Sequence, residues 1–224
     1  MTPEKYLFIT IAIFFTGIGY AQESGRVLQT KVVAPTKSAK ARDYYNKASD
    51  YFDQNNFRKS VELNKLAIAE DTNYIDAYDN LGLAYRKLNM LDSAEYYYYY
   101  SFKKDSTNTT PIQNLAVIAE MQNNVEKANL LYLMITAMEP GNPEGYFGMA
   151  RMQLTLGQKE EALKSGQMAE KLYEQAKSPY VGDCYYVLCV IYYELKNMEQ
   201  AKKYLKLAKK AGLNIDPNIE KALQ

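Results

Sequence analysis

A hydrophobic template recurs along this chain with a period of 34 residues, and no other feature restricts the fold as severely. Small residues stand at Ala48, Gly82, Ala116 and Ala150 and, five residues late, at Cys189; a second series runs through Ser60, Ala94, Ala128, Ala162 and then Ala201. A period of this length builds stacked supersecondary units, each burying its apolar face on its neighbours, in place of one closed core. Each unit reads as two helices, and none carries residues arranged for catalysis.

Divided at 41–74, 75–108, 109–142, 143–176 and 182–215, the chain gives five segments with an aromatic, an aliphatic and a small residue at matching places. The second segment shows them best, as YDNLGLAYRKLNMLDSAEYY, with Tyr78, Leu81, Gly82, Tyr85, Ala94 and Tyr98 in register. In this pattern the segments resemble tetratricopeptide repeats. The resemblance implies an all-α fold, a right-handed α-solenoid of five helix pairs with a C-terminal capping helix. Small residues at the eighth and twentieth positions of a unit let its helices A and B approach until their backbones nearly touch. Departures from the pattern matter too. Only the third unit ends in the usual proline, Pro140, and the tyrosine of the eleventh position, present as Tyr51, Tyr85 and Tyr192, is replaced by Ala119 and Gln153. The third and fourth units are therefore expected to pack less tightly. Residues 177–181, with Pro179, form an insertion beyond which the second helix of unit four cannot continue.

Outside the repeats, residues 1–22 read MTPEKYLFITIAIFFTGIGYAQ. Lys5 precedes an apolar run over 6–21, and the small residues Gly19 and Ala21 close it, which is the grammar of a signal peptide. The run is shorter than the roughly 20 residues of a spanning helix, although a retained anchor is the alternative. Cleavage after Ala21 leaves Gln22 first and places the protein in the periplasm or outside the cell. Residues 22–40 are polar and basic and read as a flexible linker. In 216–224, Asp216 before Pro217 is a helix-start signal, and Ile219 and Leu223 share the face of a capping helix.

Composition removes several function classes. With 27 Lys and Arg against 26 Asp and Glu, the chain lacks the basic footprint of a nucleic-acid binder. Histidine is absent, and with it the commonest general base and the usual zinc ligand. No glycine-rich phosphate loop occurs, and nothing calls for a cofactor or a metal. Asp76 and Asp79 share a helical face, which on a helix surface is ordinarily solvated charge rather than a glycosidase pair. The two cysteines, Cys184 and Cys189, lie five apart on one expected helix, a rise of about 7.5 Å. That separation is beyond an unstrained disulfide, so both read as compact core residues.

In tetratricopeptide proteins helix A lines a concave groove. Carried over by position, the resemblance nominates as partner-binding residues Tyr45, Asn46, Phe52, Asp79, Asn80, Arg86, Asn114, Phe147, Arg151, Tyr186 and Tyr193. The rings are candidate anchors. Asn46, Asn80 and Asn114 recur at the sixth position, either as an amide ladder for the main chain of an extended peptide or as a residue simply common there. The clamp that grips chaperone C-termini needs lysine and arginine around those asparagines, and Tyr45, Asp76 and Thr110 stand in their place. Five consecutive tyrosines, Tyr96 to Tyr100, sweep the whole circumference of a helix. Tyr98 takes the packing position, and the others divide between packing against the next unit and an exposed patch. The functional expectation is a non-catalytic scaffold that binds a protein or peptide of the cell envelope through its groove. The alternative is a permanent subunit of an outer-membrane assembly or secretion complex.

Overall fold

The structure is a computed structural model describing residues 36–215 and 217–223. The expected signal segment 1–21, the linker up to residue 35 and the helix-start residue Asp216 lie outside the described residues. Eleven helices follow one another among them: α1 (Ala39–Asp53), α2 (Phe57–Glu70), α3 (Ile75–Lys87), α4 (Leu91–Lys104), α5 (Thr110–Met121), α6 (Val125–Met138), α7 (Pro143–Thr155), α8 (Lys159–Gln175), α9 (Val181–Glu194), α10 (Met198–Lys210) and α11 (Pro217–Ala222). Odd-numbered helices up to α9 are the A helices of the repeats, and even-numbered ones are the B helices. They divide into two compact units, with the division inside α6 between Leu131 and Tyr132.

The turn from A to B is built the same way in all five pairs. One residue of each turn has positive φ: Asn55 (59°), Asn89 (57°), Asn123 (56°), Gly157 (76°) and Lys196 (61°). The next amide then reaches back to a carbonyl of the last helical turn, as in Asn56 N–H to Tyr51 O (2.8 Å), Met90 to Tyr85 (3.0 Å) and Asn197 to Tyr192 (2.9 Å). These left-handed residues stop the A helix and satisfy carbonyls that would otherwise be orphaned. Asparagine then caps three of the B helices: the side-chain oxygens of Asn56, Asn124 and Asn197 accept from the amides of Lys59, Lys127 and Gln200. The fourth B helix, α8, is 17 residues long against 13 or 14 for the others. It ends where Lys177 turns left-handed, two residues before Pro179.

In the first unit α1 packs on α2, α2 on α3, α3 on α4 and α4 on α5, and the A helices α1, α3 and α5 also meet. Residues 36–40, at the end of the stretch read as a linker, hold the cap and first turn of α1. The Ser38 hydroxyl accepts from the Ala41 amide (3.1 Å), the buried Thr36 donates to the Asp71 carboxylate, and Arg42 donates to the Thr36 carbonyl (2.8 Å). In the second unit α7, α8, α9 and α10 pack in the same order. The short α11 closes it, with Leu223 buried, Ile219 against the core and Glu220 ion-paired with Lys209.

Close approach is concentrated at small residues. Ala48, Ala94, Ala116, Ala128, Ala150, Ala162, Cys189 and Ala201 are all wholly buried. A Cβ on Gly82 would stand 2.8 Å from the Tyr98 ring, and one on Gly148 would stand 2.3 Å from the ring of Tyr132. At the two positions where tyrosine is replaced, Ala119 is fully buried and Gln153 accepts a buried hydrogen bond from Ser165 (2.8 Å). Gly148→Ala gains up to about 1 kcal/mol of helix propensity but overpacks the ring. A net loss of about 1–2 kcal/mol is expected in urea denaturation. A stability equal to that of the parent would show that α6 and α7 do not meet at this glycine.

Candidate functional site

The first unit brings most of the nominated residues together on its A helices. Tyr45 on α1 faces Tyr74, the residue that precedes α3, with ring centroids 5.0 Å apart. Asn80 on α3 donates to the Ser49 hydroxyl of α1 (3.3 Å), close to the Tyr45 hydroxyl. Burial, with Asp76 next in importance, raises the pKa of that phenol. Phe52 is half-buried and packs edge-on against Phe57 at 5.1 Å. Asn46 is exposed, Arg86 is half-buried, and Asn114 is buried with its amide turned back to the Thr110 carbonyl of its own helix (3.2 Å). The three recurring asparagines thus occupy three different environments, one open, one bridging two helices and one interior.

Asp79 is the most unusual group of the set. It is 6% exposed, and neither carboxylate oxygen has a hydrogen-bond partner. Burial pushes its pKa up to about 7, and the neighbouring acids Asp76 and Asp105 push in the same direction. The fully buried Ser101 hydroxyl offsets part of this without closing a hydrogen bond of normal geometry. Asp76, half-buried, is likewise raised by desolvation. The pair read from sequence as solvated charge is in fact withdrawn from water, because the neighbouring helices cover this face of α3.

In the second unit Phe147 and Arg151 lie one turn apart on α7, with the guanidinium 5.7 Å from the ring centroid. Phe147 meets Tyr173 of α8 edge-on at 6.0 Å, and the Tyr173 hydroxyl donates to Glu144 (2.7 Å). Phe147, Arg151 and Tyr186 are buried, the two rings within one apolar cluster, while Tyr193 is half-buried. Of the nominated rings, Tyr45, Phe52 and Tyr193 therefore keep the most open surface.

The tyrosine run divides differently from the expectation. Tyr98 is fully buried, but Tyr97 and Tyr100 fold back on the A helix of their own pair, stacking on Tyr85 (5.5 Å) and Tyr78 (4.6 Å). Lys65 and Lys104 lie over the rings of Tyr85 and Tyr100 at 5.6 and 5.5 Å. Only Tyr96 and Tyr99 remain outside, 61% and 58% exposed. Tyr74 was missed at the sequence level because it is the last residue of its unit, just before α3, while its ring lies on Tyr45 of α1. Cys184 and Cys189 are unpaired as disulfides and buried; burial pushes the Cys189 thiol up to about 12 and raises Cys184 as well. Neither offers a thiolate near neutral pH. Among the described residues no cluster of three or more metal-ligating side chains occurs, and no helix is long and apolar enough to cross a membrane.

No family model and no curated protein matches the chain. Solved structures do. MamA 41-end from Desulfovibrio magneticus RS-1 superposes with a TM-score of 0.68 at 13% identity, covering 79% of this chain and 97% of that one. MamA AMB-1 gives 0.59 at 20% identity, over 80% and 96%. At this identity the likeness concerns the fold, which is the all-α tandem helix-pair fold of the tetratricopeptide class.

The Asp79 environment yields a prediction with a definite sign. A carboxyl raised in the folded state favours folding while it is neutral, and that contribution is lost as pH rises from about 4 through about 7. Asp79→Asn keeps the shape and removes the charge. It should be more stable than the parent by about 2–4 kcal/mol at pH 8, with little difference at pH 4. Denaturation curves at the two pH values measure this, and equal curves at pH 8 would place the carboxylate in water.

Proposed function

We propose that the protein is a non-catalytic scaffold of the cell envelope, exported with residues 1–21 removed, that binds a peptide segment or protein through the helix-A face of its repeats. The observation that carries this reading is the set of partly open side chains on the A helices, Tyr45, Phe52 and Asn80 in one unit and Tyr193 in the other. Rigid amphipathic rings supply contact area at low entropic cost, and an amide beside them supplies both donor and acceptor. The tandem helix pairs hold these groups on regular elements rather than on loops. The likeness to MamA is consistent with a scaffold and says nothing of the partner or the compartment. Export rests on the apolar run and the small residues before Gln22.

A second reading, a permanent subunit of an outer-membrane or secretion complex, is favoured by the B helices. Tyr96 and Tyr99 are exposed on α4, and Leu130, Leu133 and Met134 are 61%, 48% and 40% exposed on α6. Exposed apolar rings within one unit, such as Tyr96 and Tyr99 on α4, suit a surface that a partner covers. Co-purification from envelope membranes separates the two readings, since a stoichiometric complex supports the subunit and a soluble monomer the adaptor.

Intact-mass measurement of the protein from its native host should give a chain beginning at Gln22; residues 1–21 retained on a cytosolic protein would overturn export. For the binding face, Tyr45→Ala and Tyr193→Ala should each weaken a partner recovered from the envelope by about 2 kcal/mol or more, with the helical circular-dichroism signal intact. Should those variants bind normally while Tyr96→Ser and Tyr99→Ser do not, the working surface lies on the B helices.

A further inference from the structure

We propose that Asp76 and Asp79 of α3, together with the ring of Tyr45, form a receptor for one positively charged side chain, arginine or lysine, of an extended partner segment. The proposal rests on the helix-A face being the binding face and names the chemistry it selects. Asp79 is more than nine-tenths buried, with both carboxylate oxygens unpartnered. Buried carboxylates in native proteins are ordinarily paired; here only the Ser101 hydroxyl, short of a normal hydrogen bond, offsets the charge, and a cation from outside would balance it. The charged groups that act on it are Asp76 and Asp105, both acidic, and Asp76 itself is affected only by desolvation. Arg42 of α1 donates to the Thr36 carbonyl at 2.8 Å and acts on Tyr74.

What surrounds the acids also suits a cation. Tyr45 lies near both Asp76 and Asp79, and its ring and that of Tyr74 stand 5.0 Å apart. A π-face beside a carboxylate attracts ammonium and guanidinium groups, and more strongly where water is excluded. Tyr45, Asp76 and Asn80 are only half-buried, so they form the open side of the cluster, with Asp79 deeper. Both Asp79 oxygens are closed to solvent, so the charged head seats on the half-buried Asp76 carboxylate with its stem along the rings, and the charge of Asp79 acts on it from beneath. A divalent metal is disfavoured, because the described residues hold no group of three or more carboxylate or thiol ligands.

The test uses the mature chain and a positional-scanning library of acetylated, amidated nonapeptides, followed by titration calorimetry. The expected result is selection of arginine or lysine at one position. Replacing that arginine by citrulline, which keeps the shape and loses the charge, should weaken binding at least tenfold. Asp79→Asn and Asp76→Asn should each weaken the arginine peptide to a similar extent, while Asp92→Asn, which removes an exposed carboxylate on α4, leaves it unchanged. Circular dichroism confirms that each variant is folded. Equal affinity for the arginine and citrulline peptides, or arginine binding that survives both α3 substitutions, overturns the proposal. Peptides bound without any basic preference overturn it while leaving the helix-A face as the binding face, and a library from which nothing binds overturns both.

Discussion

The fold depends on backbone approach at positions where a side chain beyond Cβ, or even Cβ itself, has no room. Gly148 against Tyr132 is the tightest case and Gly82 against Tyr98 a further one, and the wholly buried alanines of the B helices are the same device repeated. A helix pair this close buries little apolar area in either partner, so one pair is not a stable object. Stacking adds the rest, and large side chains fill the space around the close contacts, with Tyr98, Phe147, Tyr173, Leu188 and Ile191 all fully buried. Small residues at the contact and large ones around it are two halves of one packing solution, because the ring fills the space that the missing side chain opens.

The same economy explains why polar groups are found inside. A helix A covered by its own B helix and by the next pair has few faces left for water, and residues at its binding positions are partly enclosed whatever their chemistry. Asn64 meets this by bonding to Ser60 one turn back, and Asn114 by bonding to Thr110. Asp79 has no such answer within its helix, since a carboxylate has no proton to donate to a carbonyl. Its raised pKa follows first from that burial, with the acids Asp76 and Asp105 adding to it.

Much of the architecture was legible in the sequence, and the part that was not has a physical reason in each case. The paired helices and the small contact positions follow from a 34-residue spacing that survives as far as Ala162 and resumes at Cys189. The turns were legible in retrospect: Asn55, Asn89, Asn123 and Gly157 keep the same spacing and are residue types that tolerate positive φ, whereas Lys196 carries no such signal. Degree of burial was not legible. Position in the unit nominates Phe147 and Tyr193 alike, yet one is enclosed and the other partly open, because exposure depends on which neighbour stacks there. The tyrosine run shows the same limit. Periodicity could assign Tyr98 to the contact, but whether Tyr97 and Tyr100 lean on the next pair or on their own was decided by Tyr78 and Tyr85, which offer flat faces to stack on.

Within residues 36–131 two surfaces of opposite chemistry sit on one set of helices. The A helices present Asp76, Asp79 and Asn80 beside Tyr45, a polar and acidic surface with an aromatic edge, while α4 presents the neutral rings of Tyr96 and Tyr99. Acids withdrawn from water choose a partner by charge and leave little to hydrophobic area; exposed tyrosines do the reverse, adhering to many partners with modest discrimination. A protein using the first surface selects, and one using the second assembles. The rings of Tyr97 and Tyr100 stack inward on α3, and Tyr96 lies against both of them at 5.1 and 6.4 Å. The two proposed readings thus rest on different helices, the adaptor on the acids and Tyr45 of the A helices and the subunit on the exposed rings of α4.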